Sequence, residues 1–433
     1  MIDIKLLRDN PQFIENAAKD KGVTINVSHI IEIADKQKEL SLAVQTLREE
    51  RNRLAKSVSQ ATDHERESVI DEGKKIKVLL EQKEHALSAV EEELRTALLL
   101  IPNPAKRDVK VGKDETGNDV IRKFKEPTNF SFTPKDHLVL GESLDIIDTQ
   151  RAAKVSGARF AYLKNEAVLL EFALVQHAMN FLIKEGFSPI IPPVLIKQDI
   201  TEGLGYWQSG GNEDYYLVSD FNVDIDPDKP ASNPLYLVGT SEHALVPMHK
   251  DEILQSKDLP KRYVGFSPAF RREAGSYGKD TKGIIRVHQF DKIEMVSFVE
   301  HDKDDQEHEY LLSIEEKLFQ SLQIPYQVVK MCTGDLGFPA ARKYDLEAWI
   351  PSQKKYREVT SVSTVTDFQS RRLNIKYRNG DKTEYASILN GTAFAIGRTI
   401  VAILENYQQE DGSVIVPEVL RAYVGKDKIT PRT

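Results

Sequence analysis

Between residues 270 and 295 the chain reads FRREAGSYGKDTKGIIRVHQFDKIEM, a run that gathers three arginines, carboxylates and an aromatic ring around a glycine-rich turn. Those residue types suit a substrate made of phosphates and a base. The planar fork of arginine meets phosphate oxygens in pairs and keeps its charge, and a ring offers a base a stacking face. β-branched and aromatic bias predicts strands over 263–270 and 284–295, and Gly275, Gly278 and Gly283 predict a long hairpin loop between them. Residues two apart on a strand share a face. That alternation puts Arg271 with Glu273 on one strand, and Arg286, His288, Phe290, Lys292 and Glu294 together on the other. A hairpin with a solvated polar face is the competing reading of these residues taken alone.

The same run resembles motif 2 of class II aminoacyl-tRNA synthetases, in the form FRxEAGSxGxDTxGxxRxHQFxKxE carried by the seryl-tRNA synthetase family. The resemblance extends from MIDIKLLRDNP at the start to VPEVLRAYV near the end. Gly186 and Phe187, leading to Pro192 and Pro193, are similar to motif 1, the helix and strand that form the class II dimer interface. LNGTAFAIGR, residues 389–398, is similar to motif 3, with Arg398 where a strand gives way to a helix. Thr240-Ser241-Glu242 follows an apolar strand over 235–238; alone it is a common helix-capping sequence, and in the family it lines the amino-acid pocket. The chain departs from its relatives in two places. HALVPM follows Glu242 where V-P-L is more usual, and T-S-V-S-T occupies 360–364 where many relatives have S-S-C-S-N, so that Thr364 replaces an asparagine.

Carried over residue by residue, the resemblance implies a serine pocket of Thr240, Ser241, Glu242, Arg271, Glu294 and Thr392. It implies an ATP site of Arg271, Arg272, Glu273, Arg286, Val287, Phe290, Glu358, Val359, Thr360, Ser361 and Arg398. Arg271 and Arg398 are the catalytic pair. Arg271 would meet the α-phosphate and the substrate carboxylate, Arg286 and Arg398 the distal phosphates, Phe290 the adenine face and Glu273 its amino group. Glu358 and Ser361 would hold Mg2+ arriving with ATP, a hard cation that needs only one or two protein oxygens. No zinc is expected, since Cys332 is the only cysteine, and its neighbours Thr333, Gly334 and Asp335 offer no base to activate it. Activation of an amino acid is an in-line attack of a carboxylate on the α-phosphate, so alignment of two anions and neutralisation of charge suffice without a protein nucleophile. A pocket that hydrogen-bonds a hydroxyl strongly rejects the analogue lacking it; Glu294 and Thr392 are the expected pair.

These residues require a rigid sheet to hold them. A chain of 433 residues with 40% apolar content exceeds one ordinary domain. We expect an N-terminal tRNA-binding arm over 1–104, a linker rich in proline, glycine and charge over 105–134, and an α+β catalytic domain around an antiparallel sheet over 135–433. In the arm, Ile33, Leu40, Leu47 and Leu54 recur at heptad spacing, as do Leu80, Leu87, Leu94 and Ile101. Two helices of about 30 residues, each roughly 45 Å long, joined by SQATDHERES, predict an antiparallel coiled-coil hairpin.

Net charge of -8 argues against indiscriminate nucleic-acid binding, so any RNA must meet a local basic patch. Arg48, Arg51, Arg53, Lys56, Lys74, Lys75 and Lys77 concentrate toward the arm's tip, while Glu91, Glu92 and Glu93 lie nearer its base. Such a run is otherwise a solvated face. The resemblance implies contact with the long variable arm of tRNA(Ser), read by shape and backbone, leaves tRNA(Sec) open, and implies a homodimer. With charged residues Asp3, Lys5, Arg8 and Asp9 at the start and no apolar run near 20 residues, the expectation is a cytoplasmic protein without a membrane span. A ligase loading a carrier protein would lack the long arm, and a degenerate RNA-binding paralogue would have lost Arg271, Glu273 or Arg398; all are present.

Overall fold

A computed structural model describes residues 1–58, 62–207, 211–218, 234–274 and 282–432, and the chain divides into two compact units, Met1–Pro102 and Asn103–Thr433. The first unit is helical: α1 (Ile4–Asp9), α2 (Pro11–Asp20), α3 (Val27–Val58) and α4 (Asp63–Leu99). Asp3 caps α1 by accepting from the Lys5 amide at 2.8 Å, and α2 opens on Pro11, where a missing N–H costs nothing. Gln37 meets Glu91 at 3.5 Å and Arg48 meets Glu84 at 2.7 Å, so α3 and α4 run antiparallel. The seam is narrow: Ile33, Val44, Ile76, Leu80, Val90 and Leu98 are buried, whereas Leu42, Val78 and Leu79 remain exposed. An exposed pair such as Arg48 with Glu84 contributes at most about 1 kcal/mol, so the seam supplies the stability. Residues 59–61 of the expected turn lie outside the described residues.

The second unit is built on an eight-stranded sheet made of β1 (Asp119–Phe124), β2 (Ser188–Ile190), β3 (Lys261–Phe270), β4 (Gln289–Val299), β5 (Tyr326–Lys330), β6 (Arg342–Ile350), β7 (Lys355–Thr366) and β8 (Ser387–Ala395). Their order across the sheet is β1-β5-β6-β7-β8-β4-β3-β2. Every pairing is antiparallel except β2 with β3. Three helices share the sheet's main core: α5 (Glu166–Lys184), α6 (Asp304–Ser321) and α7 (Ile396–Asn406). They bury Leu170, Leu174 and Leu182, then Leu311, Ile314 and Leu318, then Ile400, Ile403 and Leu404, together with Met295, Val362 and Leu389 of the strands. Each such side chain contributes about 1.5–3 kcal/mol when removed from water.

Local chemistry explains the helix ends. α5 stops where Gly186 takes φ +86°, and the amides of Gly186 and Phe187 turn back to the carbonyls of Ile183 and Leu182. That turn releases the chain directly into β2. α6 begins with Asp304, Asp305 and Glu307 at the positive end of its dipole. α5 is also the one helix among the described residues long and apolar enough to cross a membrane; here it packs one face into the core and leaves Leu169, Phe172 and Ile183 exposed.

Two expectations are corrected. The segment 105–134 is not a free linker. It supplies β1, the edge strand paired to β5, and seats Val109 among Val329, Met331 and Leu336. The outward side chains of β1 are exposed, so no apolar alternation marks the strand, and its partner lies some 200 residues away. The second hairpin strand begins at Gln289 rather than at 284, and β3 ends at Phe270. Arg271, Glu273, Arg286 and His288 therefore lie on connecting backbone, and Glu273 has φ +55°. Residues 275–281, with Gly275 and Gly278, lie outside the described residues.

Candidate active site

Strand β7 separates a cavity from a buried back wall. Ser361 and Ser363 line a cavity of about 420 Å3, while the hydroxyls of their neighbours point the other way: Thr360 Oγ1 donates to Glu315 Oε2 at 2.7 Å, and Thr364 Oγ1 donates to Asp304 Oδ2 at 2.9 Å, both on α6. The departure at Thr364 thus sits behind the sheet, where a hydroxyl satisfies a helix carboxylate. Glu358 precedes Ser361 by three positions, so strict alternation would turn it away from the cavity. A register shift prevents this. Leu346 pairs with Thr360 but Glu347 pairs with Glu358, which leaves Val359 as the extra residue of a bulge and brings Glu358 round to the cavity.

A second bulge builds the opposite wall. On β4 and β8, Ile293 pairs with Phe394 and Glu294 with Thr392, so Ala393 is skipped. Thr392 Oγ1 then donates to Glu294 Oε2 at 3.1 Å. Lys292 Nζ lies 2.7 Å from the same oxygen and 3.2 Å from Thr240 Oγ1. Glu242 is buried beside them, accepting from Gln369 Nε2 at 2.9 Å and from Tyr206 OH at 3.0 Å. Burial pushes its carboxyl up to about 7, helped by Glu294 and opposed by the Gln369 and Tyr206 hydrogen bonds and by Lys292. A carboxylate so placed gains from a cation arriving beside it.

Arginines line the third side. Arg271 Nε donates to the Gly239 carbonyl at 3.1 Å, and its guanidinium lies 5.4 Å from the centre of the Phe290 ring. Arg286 Nη1 pairs with Glu273 Oε2 at 2.7 Å. Arg398, in the first turn of α7, adds a fixed cation to that helix's positive end; its Nη1 lies 3.1 Å from both the Glu358 carbonyl and Glu358 Oε2, and its Nε donates to the Ile285 carbonyl at 3.1 Å. Burial would raise the Glu358 carboxyl, but Arg398, Lys343 and Arg271 together hold it well below the usual carboxylate range. It is ionised at neutral pH. With the Ser361 hydroxyl on the same wall, the pair offers two hard oxygens, the donor type that would suit a magnesium ion arriving with a nucleotide.

The expected site residues gather with few exceptions. Thr240, Glu242, Arg271, Glu273, Arg286, Val287, Phe290, Glu294, Glu358, Val359, Thr360, Ser361, Thr392 and Arg398 all line this cavity. Ser241 does not: it is buried, with Oγ 3.1 Å from Ser267 Oγ and 3.4 Å from the Gly265 carbonyl, because the turn that aims Thr240 and Glu242 inward directs the residue between them outward. Arg272 is exposed and outside the lining, held through its amide to the Asp214 carbonyl. His288 is directed to the Arg271 carbonyl at 2.9 Å and to the rings of Phe160 and Tyr216. Sequence reasoning passed over Tyr206, Lys343, Gln369 and Asn390, and gave Lys292 no role. Lys292 carried a signal, two positions before Glu294 and so on the same face of its strand; Gln369 and Tyr206 carried none, since they reach Glu242 from distant segments.

On the arm, Arg48 is paired across the hairpin with Glu84. Arg53, Lys74 and Lys77 lie 3.6, 2.9 and 3.9 Å from Glu50, Asp71 and Glu81 on their own helices. All of them, with Arg51, Lys56 and Lys75, are exposed.

An antiparallel sheet whose central strands present a ring and acidic residues to one nucleotide-sized cavity, with arginines from the adjoining connections and helix, defines a class II aminoacyl-tRNA synthetase core. Residues 221–407 match the family model of the tRNA synthetase class II core domain (G, H, P, S and T), and residues 1–105 match that of the seryl-tRNA synthetase N-terminal domain. The chain belongs to the seryl-tRNA synthetase family. It is 43% identical to the serine--tRNA ligase of Dictyoglomus turgidum over the full length of both chains, and 45% identical to that of Thermobifida fusca over all of this chain and 99% of the relative. Among solved structures, seryl-tRNA synthetase from Pyrococcus horikoshii complexed with ATP superimposes with a TM-score of 0.88 at 39% identity, covering both chains completely.

Proposed function

We propose that this chain activates L-serine with ATP to give seryl-adenylate and pyrophosphate, and then transfers the seryl group to the 3′ end of tRNA(Ser). The observation that carries the reading is the Glu294 and Thr392 pair, a buried carboxylate and hydroxyl 3.1 Å apart in the cavity that also holds Arg271, Arg286 and Arg398. Such a pair suits a small hydroxyl substrate: alanine brings no hydroxyl to the second Glu294 oxygen, and the extra methyl of threonine meets their packed surroundings.

The cavity's chemistry supports a role for each group. Glu242 and Thr240 take the substrate ammonium. Arg271 takes the substrate carboxylate and the α-phosphate, and aligns them for attack. As the carboxylate oxygen bonds to the α-phosphorus, the bond to pyrophosphate breaks, and Arg286 and Arg398 neutralise the departing charge. Phe290 stacks on adenine, and Glu273 accepts from its amino group. Glu358 and Ser361 would hold a magnesium ion, which would supply neutralisation of phosphate charge. A ribose hydroxyl of the tRNA terminus then attacks the acyl carbonyl and AMP leaves.

The exposed basic residues of the arm suit the backbone of the long variable arm of tRNA(Ser); tRNA(Sec) is a second candidate with the same kind of feature. The outward apolar side chains Leu169, Phe172 and Ile183 of α5, with exposed Ile191 just past β2, suit a homodimer contact of the motif 1 type. The protein is assigned to the cytoplasm, where its substrates are made. The deciding experiment is amino-acid-dependent exchange of pyrophosphate into ATP: serine should support it with magnesium present, and equal exchange with threonine, alanine or glycine would overturn the reading.

A further inference from the structure

Lys292 has no part in the roles just assigned, yet it is a buried ammonium in the middle of the serine side of the cavity, with a side chain only 9% exposed against 2% for Glu294. A buried cation without a task is costly, so its partners define what it does. Two of them stand on opposite sides of the expected amino acid. Nζ is 2.7 Å from Glu294 Oε2, the hydroxyl-reading carboxylate, and 3.2 Å from Thr240 Oγ1, on the ammonium side.

Both contacts to Glu294 fall on one oxygen. Thr392 Oγ1 donates to Oε2 at 3.1 Å, and Lys292 points its ammonium at that same Oε2. A carboxylate held by two donors on one oxygen has a fixed plane, and the other oxygen is then the one that meets a substrate hydroxyl. Lys292 and Glu294 are two apart on β4, so they share a face, and the skipped Ala393 brings Thr392 to the same carboxylate from β8. Two neighbouring strands converge on one atom.

We propose that Lys292 is a positioning residue for substrate selection: its ammonium keeps Glu294 oriented so that Oε1 accepts the serine hydroxyl, and its bond to Thr240 fixes the distance between the ammonium and hydroxyl ends of the pocket. This rests on the reading of the site as a serine pocket. It makes a specific demand. Removing the ammonium should harm recognition of the hydroxyl far more than recognition of what serine and alanine share.

The test uses the full chain and compares pyrophosphate exchange with serine and with alanine in wild type, Lys292→Met and Lys292→Arg. Wild type must first prefer serine by orders of magnitude; if it does not, the serine reading itself fails, and the fault lies there. Given that preference, Lys292→Met should lower the serine-to-alanine ratio of kcat/KM at least about tenfold, the loss expected for one hydrogen bond to a charged group. KM for serine should rise more than KM for ATP. A ratio is independent of how much of the variant is folded. Lys292→Arg, which keeps the charge and several donors, should recover most of the ratio. The proposal is overturned if the Met variant stays within twofold of the wild-type ratio, if KM for ATP rises as much as KM for serine, or if Arg is no better than Met. Where Lys292→Met does not fold, Lys292→Gln is read by the same criteria.

Discussion

Thr392 faces Glu294 across two neighbouring strands, Oγ1 to Oε2 at 3.1 Å, only because the register between β4 and β8 slips by one residue at Ala393. Without the slip Glu294 would pair with an alanine and the cavity would have no hydroxyl donor at that place. The first prediction tests this pair. Thr392→Val keeps the shape and removes the donor, leaving a buried carboxylate short of one hydrogen bond, which costs about 1.5–3 kcal/mol for a charged acceptor. Serine-dependent exchange should fall on the order of 10- to 100-fold in kcat/KM, with alanine-dependent exchange much less affected. Equal losses for the two substrates would dissociate Thr392 from hydroxyl reading.

Glu242 gives a pH dependence. Its carboxyl, raised by burial to about 7, must be ionised to hold an ammonium, so kcat/KM for serine should climb as pH rises from 6 to 8 and level off above the transition. Glu242→Gln should be poor at every pH and show no climb. The sign for stability is opposite. A folded-state value above the unfolded one stabilises the free protein fully below the ordinary carboxylate range, and that contribution is lost as pH rises through about 7. Calorimetric titration with serine near pH 6.5 should accordingly show proton release, read from the dependence of heat on buffer.

Arg271 carries the phosphate reading. Arg271→Ala removes a charge-assisted donor to the reacting phosphate and should reduce exchange on the order of 100-fold or more. A residual activity within a few-fold of wild type would exclude it from the reacting centre. Because the guanidinium also covers Phe290, Arg271→Lys should recover little: an ammonium keeps the charge but neither the fork nor the flat stacking surface.

Oligomeric state is read by sedimentation, where a species of about twice 49.0 kDa is expected at micromolar concentration. Phe172, 61% exposed on α5, is the side chain to change. In a symmetric contact Phe172→Asp loses two rings and gains two charges, and dissociation should become at least about 100-fold easier. A wild-type protein that sediments only as a monomer would remove the motif 1 contact from the account.

The arm can be shortened without disturbing its base. Val44 and Leu80 are buried seam residues just inside the basic section, so replacing residues 48–77 with a short turn leaves the lower seam intact. Pyrophosphate exchange should stay near wild type, while tRNA affinity falls and its salt dependence flattens, since each lost phosphate contact removes part of the counterion-release contribution. The ratio of aminoacylation to exchange decides: a ratio equal to wild type would make the arm a structural rod, and collapse of both activities would show that the two units do not act separately.

Much of this was determined by the sequence alone, for physical reasons. Heptad spacing is a local property, so the repeat of Ile33, Leu40, Leu47 and Leu54 was enough to specify a long helix with a narrow seam, and its partner spacing specified the hairpin. Arg271, Glu294, Glu358 and Arg398 stand in motifs whose residue types match phosphate and small-ligand chemistry, and they were legible for that reason. Tertiary structure decided what depends on register and on distant partners. Strict alternation would have turned Glu358 away from Ser361 and matched Glu294 with Ala393, and two one-residue slips, at Val359 and Ala393, reversed both outcomes. It likewise directed Ser241, Arg272 and His288 away from the cavity and brought Gln369 and Tyr206 to Glu242. It also made an edge strand of a segment whose exposed charges read as a linker. The partner of β1 lies some 200 residues away and that of Glu294 about 100, so no short window of sequence contains both.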